Sequence, residues 1–105
     1  MIAKTPKPPY YAVIFTSIRT EVEEGYVETA KRMVELAKEQ KGFLGEESAR
    51  NELGITVSYW ESPAAIHEWK QNFEHRQAQQ TGVKKWYSAF KVRVAKVERD
   101  NEFDL

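Results

Sequence analysis

The sequence predicts an α+β domain of ferredoxin-like βαββαβ order, a four-stranded antiparallel sheet with its helices on one face. Three features carry this reading. Residues 10–18 (YYAVIFTSI) form a β-branched and aromatic run, residues 21–40 hold one apolar stripe at helical period, and the pattern strand, strand, helix, strand follows over residues 43–97. With right-handed crossovers, that order closes into a single antiparallel sheet.

Residues 1–9 read as a flexible lead-in, because Pro6, Pro8 and Pro9 cannot donate to a sheet ladder. In the first strand Ala12, Ile14, Thr16 and Ile18 point one way, and Tyr11, Val13, Phe15 and Ser17 the other. Both sets are apolar enough to need cover. Tyr26, Ala30, Met33, Val34 and Ala37 make the stripe of the first helix, with Thr20 as its expected N-cap and Gly42 as its left-handed stop. Residues 43–50 read as the second strand and 55–60 (ITVSYW) as the third, joined tightly through NELG with Gly54 at positive φ. Ser62 followed by Pro63 starts the second helix, whose inward residues are Ala65, Ile66, Trp69 and Phe73 and whose break falls near Gly82. Residues 90–97 alternate as the fourth strand; the domain spans residues 10–99, and 100–105 form a charged tail. The sheet face without helices, assigned to the Tyr11, Val13 and Phe15 set, is expected to meet a second copy of the chain as a homodimer.

Composition narrows the function. Lys plus Arg and Asp plus Glu both number 16 in 105 residues, so no long-range field draws the chain to nucleic acid or an anionic membrane. Absence of cysteine removes disulfides, thiol nucleophiles and thiolate metal sites, and suits a reducing cytoplasm. No apolar run approaches the ~20 residues of a membrane-spanning helix, and the N-terminus lacks the apolar core of a signal peptide. A cytoplasmic protein is the expectation. His67 and His75 are the two histidines, too far apart for a paired helical ligand set, so no metal site is expected.

The aromatic supply is generous, at 12% of the chain. Trp60, Trp69 and Trp86 stand at strand ends and helical spacings that suit a core. Trp60 also shares its side of the strand with the hydroxyls of Ser58 and Thr56, which suits a pocket wall. His75 either lines that pocket, where it could exchange protons near neutral pH, or packs on its helix; His67 reads as a solvated residue.

The stretch 58–87 (SYWESPAAIHEWKQNFEHRQAQQTGVKKWY) runs from a strand ending in Tyr-Trp, through Glu-Ser-Pro, into a helix that carries Trp and ends near His. Together with Lys41-Gly42-Phe43-Leu44-Gly45 at the entry to the second strand, it resembles the antibiotic biosynthesis monooxygenase family of dimeric α+β barrels. The element order matches over residues 10–98. The resemblance implies a homodimer with one pocket per subunit between sheet and helices. Members of that family include oxygenases that oxidise polycyclic aromatics with neither metal nor flavin, heme degraders, and small proteins assigned to stress or signalling. Trp60 matches the pocket tryptophan of the heme-degrading branch, and Trp69 fits a second aromatic on the next helix. The axial histidine of that branch falls near Gln79, with His75 one helical turn earlier, and its pocket asparagine falls at Thr16 or Ser17. Heme is therefore the less favoured ligand.

What the resemblance implies is a cofactor-independent monooxygenase acting on a small aromatic or quinol-like substrate. Trp60 and Trp69 would stack that substrate, His75 would move a proton, and Thr16 or Ser58 would donate hydrogen bonds. The alternative is a non-catalytic homodimer, stress-related or holding a small aromatic or heme-like ligand.

Overall fold

A computed structural model describes residues 1–103, with the Phe73 side chain outside the described set. The strands are β1 (Tyr10–Arg19), β2 (Phe43–Arg50), β3 (Gly54–Trp60) and β4 (Tyr87–Val97). The helices are α1 (Tyr26–Lys38), α2 (Pro63–Gln71) and α3 (Phe73–Thr81), the last running into a π-helical turn, Gly82–Trp86. The sheet is antiparallel throughout, in the order β2-β3-β1-β4. This is the expected ferredoxin-like arrangement.

Two helix boundaries differ from the sequence expectation, each for a local reason. Thr20 does not cap α1. Its amide donates to the Trp86 carbonyl at 2.8 Å and its hydroxyl to the Lys85 carbonyl at 2.5 Å, so residues 20–25 form a loop tied to the π-helical turn. Gly25 then opens α1 at φ 78°, a left-handed conformation that costs a glycine little. The second helix breaks at Asn72 rather than near Gly82. Asn72 takes an extended ψ of 129°, and its Oδ1 accepts the His75 amide at 3.1 Å, which caps a new helix. Gly54 lies within β3, and positive φ occurs only at Gly25 and Gly42 among the described residues. Phe73, placed on the inward stripe by its spacing, falls on the undescribed side chain.

Strand register decides what faces what, because paired residues share a side of the sheet. On the helix side four rows cross the sheet from β2 to β4: Phe43–Trp60–Tyr11–Lys96, Glu46–Ser58–Val13–Val94, Ser48–Thr56–Phe15–Val92, and Arg50–Gly54–Ser17–Phe90. The open side carries Ala12, Ile14, Thr16 and Ile18 with Tyr59, Val57 and Ile55. This reverses the sequence assignment: Tyr11, Val13 and Phe15 lie beneath the helices, and the Ile14 set forms the open face. Trp60 settles the question, since it packs edge-on against Phe43 at 5.3 Å and stacks on Trp69 of α2 at 6.0 Å.

The termini are fastened to the open face. The Ala3 amide donates to Glu47 at 2.8 Å, Thr5 donates to the Tyr10 hydroxyl, and Tyr10 donates to Asp100 at 2.6 Å. Tyr59 donates to the other oxygen of Glu47 at 2.7 Å. That bond holds the Glu47 carboxyl below its usual range, while burial and the same bond push the Tyr59 phenol up to about 12. The lead-in thus makes hydrogen bonds to the sheet at Ala3 and Thr5.

Candidate functional site

Trp60 has no exposed surface. Its Nε1–H donates to the Ser58 Oγ at 2.9 Å, which satisfies a donor that water cannot reach. The Ser58 hydroxyl accepts in that bond, so its own proton is free to be donated elsewhere. Trp69 lies nearly parallel to Trp60, at 27°, and His75 stacks on Trp69 with centroids 4.2 Å apart and planes 18° from parallel. Trp60, Trp69 and His75 therefore form one continuous stack, bent around the α2–α3 break.

The break also sets the chemistry of His75. Its Nδ1 lies 3.0 Å from the Trp69 carbonyl, an atom that can only accept, so Nδ1 carries a proton and the neutral ring keeps its lone pair on Nε2. Burial pulls the His75 pKa below 6.5, with the Trp69 carbonyl pulling back toward it. At neutral pH this is an uncharged imidazole able to accept a proton at Nε2.

Thr16, predicted as a hydrogen-bond donor beside Trp60, is on the opposite face of the sheet, in the row Ala49–Ile55–Thr16–Lys91. Side chains alternate along a strand, so Thr16 and Ser58 cannot serve one pocket within a subunit. Ser17 does face the helices, three rows away from Trp60, where it is 3% exposed and accepts from Arg50. His67 is exposed.

Sequence reasoning missed Glu46. It pairs with Ser58 and faces the helices, and burial raises its carboxyl pKa, with Lys38 pulling it back down. Alternation alone would align Glu46 with Leu44 rather than Phe43, but an irregularity between Phe43 and Gly45 shifts the register and brings Glu46 inside. The helix side of the sheet is consequently a divided floor. Glu46, Ser48, Thr56 and Ser58 lie on β2 and β3, and Val13, Phe15, Val92 and Val94 on β1 and β4. The helices do not close over β4, where Val92 and Val94 stay 48% and 58% exposed.

Two cavities lie away from the ring stack: one of about 300 Å³ beside His67 and Asn72, the other of about 340 Å³ between α1 and α3 against Arg32, Met33 and Trp86. Arg32 and Glu74 bridge the second with two contacts of 2.9 Å. Among the described residues no three His, Cys, Asp or Glu side chains gather as a metal-ligand set. No helix there is long and apolar enough to cross a membrane.

The antibiotic biosynthesis monooxygenase family model matches residues 9–81, which is most of the chain. The chain belongs to that family. A Bacillus subtilis protein, YqjZ, is 54% identical over 104 residues, covering 97% of this chain and 91% of that one, and is itself described as uncharacterized. Among solved structures, SnoaB from Streptomyces nogalater, a cofactor-independent oxygenase, superposes with a TM-score of 0.75 at 7% identity, over 87% of this chain and 95% of SnoaB. A Shewanella oneidensis protein superposes at 0.76 and 10% identity, over 94% of this chain and all of that one. At such identities the structural likeness concerns the fold alone.

Proposed function

We propose that the chain is a cofactor-independent monooxygenase of a small aromatic or quinol-like substrate, working as a homodimer. One observation carries the reading: the helix side of the sheet is a divided floor, hydroxyls and a carboxylate on one half and half-open apolar surface on the other. A core would not place Glu46, Thr56 and Ser58 side by side, all partly buried on the helix side of the sheet. A flat ligand with polar edges meets both halves. Family membership and the oxygenase activity of SnoaB support the same chemistry.

The chain's residues supply proton handling and shape. His75 Nε2, or Glu46, accepts a proton from an activated aryl C–H or phenol, leaving an electron-rich anion. That anion reduces oxygen directly. One oxygen atom becomes a new carbonyl on carbon and the other leaves as water, carrying the two hydrogens the substrate loses: both from the CH2 of an anthrone-type ring, or one ring C–H and the O–H of a phenol. Trp69 walls the site, and Ser58 donates its free proton to the developing oxyanion.

The dimer rests on area. The chain exposes 7,997 Å², against about 6,000 Å² for a compact monomer of its mass. Ile18 and Ile55 on the open face are 47% and 40% exposed. Meeting of two such faces would cover these side chains.

One observation favours a second reading, a non-catalytic dimer that holds a small aromatic or heme-like ligand. Trp60 is wholly covered, and the rings of its stack fill one another's space. The deciding experiment is oxygen uptake with anthrone and naphthoquinol substrates, metal chelators present. The oxygenase reading expects uptake above autoxidation that falls by about 10²-fold in His75→Ala or Glu46→Gln. Uptake at the autoxidation rate, with saturable hemin or arene binding, leaves the second reading.

A further inference from the structure

At the far end of the floor from Trp60, cationic and aromatic side chains gather at the surface around the row Arg50–Gly54–Ser17–Phe90. Arg50 lies across β3 and donates to the Ser17 hydroxyl at 2.5 Å and, more weakly, to the Ser17 carbonyl at 3.4 Å. It can cross because residue 54 is glycine; a Cβ there would overlap the guanidinium. Beside it, Arg19 lies 3.2 Å over the Tyr26 ring, and Tyr26 meets Tyr87 edge-on at 6.1 Å. Tyr87 and Phe90 both contact Phe15, at 5.2 and 5.6 Å. Gly82 makes room for Tyr87, since a Cβ would approach its ring to 2.9 Å. Burial and the neighbouring Tyr26 hydroxyl push the Tyr87 phenol up, while the charges of Arg50 and Arg19 pull it back down.

The two arginines differ in what they have left to give. Arg19 is spent on the Trp86 and Val22 carbonyls and stands 3.9 Å from Glu23. Arg50 is exposed and, among the described residues, has no carboxylate within salt-bridge distance. A guanidinium has five N–H donors, and Ser17 occupies two of Arg50's. The remaining donors form a planar fork of the kind that takes a carboxylate.

We infer that Arg50, steadied by Ser17 and in one row with Phe90, binds the carboxylate of an aromatic carboxylic acid whose rings lie on Phe15 and Phe90. The inference rests on the floor being a binding surface, and it assigns a ligand class to the end of that floor far from His75: an aryl compound bearing a carboxylate arm. The floor measures roughly 20 Å from the Trp60 row to the Arg50 row, at about 3.3 Å per strand residue, so the arm anchors well away from His75.

The test is an amide-resolved NMR titration of the full chain with 1-naphthoate and, separately, uncharged 1-naphthamide. Naphthoate is expected to shift the Ser17, Gly54 and Phe90 amides saturably, and naphthamide to bind at least tenfold more weakly. Arg50→Gln should weaken naphthoate at least tenfold and abolish the preference, Arg50→Lys should retain part of it, and Gly54→Ala should mimic Arg50→Gln by displacing the guanidinium. His67→Ala, at an exposed position away from the floor, should leave naphthoate affinity unchanged. Equal affinity for the two ligands, wild-type binding by a folded Arg50→Gln, or shifts confined to Trp69 and His75 overturns the inference. Because no turnover is measured, naphthoate binding without oxygen uptake refutes the oxygenase alone. Oxygen uptake with no carboxylate preference refutes the anion site alone.

Discussion

Ser58→Ala tests whether the Trp60 side of the floor is built as described. The substitution removes one hydroxyl and leaves the Trp60 Nε1–H with no partner, in a side chain that has no exposed surface. An orphaned buried donor costs about 1–3 kcal/mol, more than the net worth of the bond itself. For a domain of this length, each kcal/mol lowers Tm by roughly 4–8 °C. The assay is urea denaturation followed by circular dichroism at one fixed protein concentration, since the stability of a self-associating chain depends on concentration. A double-mutant cycle isolates the pair: in a Trp60→Phe background no indole donor remains, and Ser58→Ala should cost about 1 kcal/mol less than in the wild type. A loss below about 0.5 kcal/mol for Ser58→Ala, or equal losses in both backgrounds, would show that the indole N–H is satisfied in another way.

Protonation of His75 provides a second test. Its pKa is lowered by burial in the folded chain, so the native state holds the proton less tightly than the unfolded state. Stability should be full above pH 6.5, decline as pH falls through the window below that value, and flatten once the native ring is also charged. His75→Gln should remove this step from a pH series of urea midpoints; an unchanged step would assign it elsewhere. A third test concerns the open face. Ile14→Asp puts a charge where the sheets are proposed to meet, beside Val57 and Arg93, and should convert a dimer to a monomer by analytical ultracentrifugation. A monomeric wild type would remove the area argument, and an intact dimer in the variant would move the interface to another surface.

Much of the fold was legible in the sequence because hydrophobic period is a local property. The strand runs, the stripe of α1 and the Ser62-Pro63 start stand where spacing placed them, whereas α1 ends at Lys38 with Glu39 as its cap, and Gly42 (φ 88°) serves the turn into β2 instead of stopping the helix. Pairing Trp60 with Ser58 on one side also followed from alternation alone. Which way β1 faces did not follow, because its two sides are nearly equally apolar. Only packing against α2, through Trp60 and Trp69, makes Tyr11, Val13 and Phe15 the covered set and removes Thr16 from the site. Thr20 had the chemistry of a helix cap, but the tertiary contact with Lys85 and Trp86 claimed it first.

Register irregularities account for most of what stayed hidden. A bulge reverses the alternation beyond it, and nothing in the local sequence declares one. The irregularity between Phe43 and Gly45 selects Glu46 over Glu47 for the helix side, and the one between Ile18 and Arg19 lets Tyr87 and Phe90, three apart, face the same way. Arg50 reaches Ser17 across 33 residues of sequence, over a glycine that looked like a turn residue. The sequence by itself determined the elements, their order and the family. The tertiary structure decided which side chains share a face, because that depends on pairings between strands far apart in the chain.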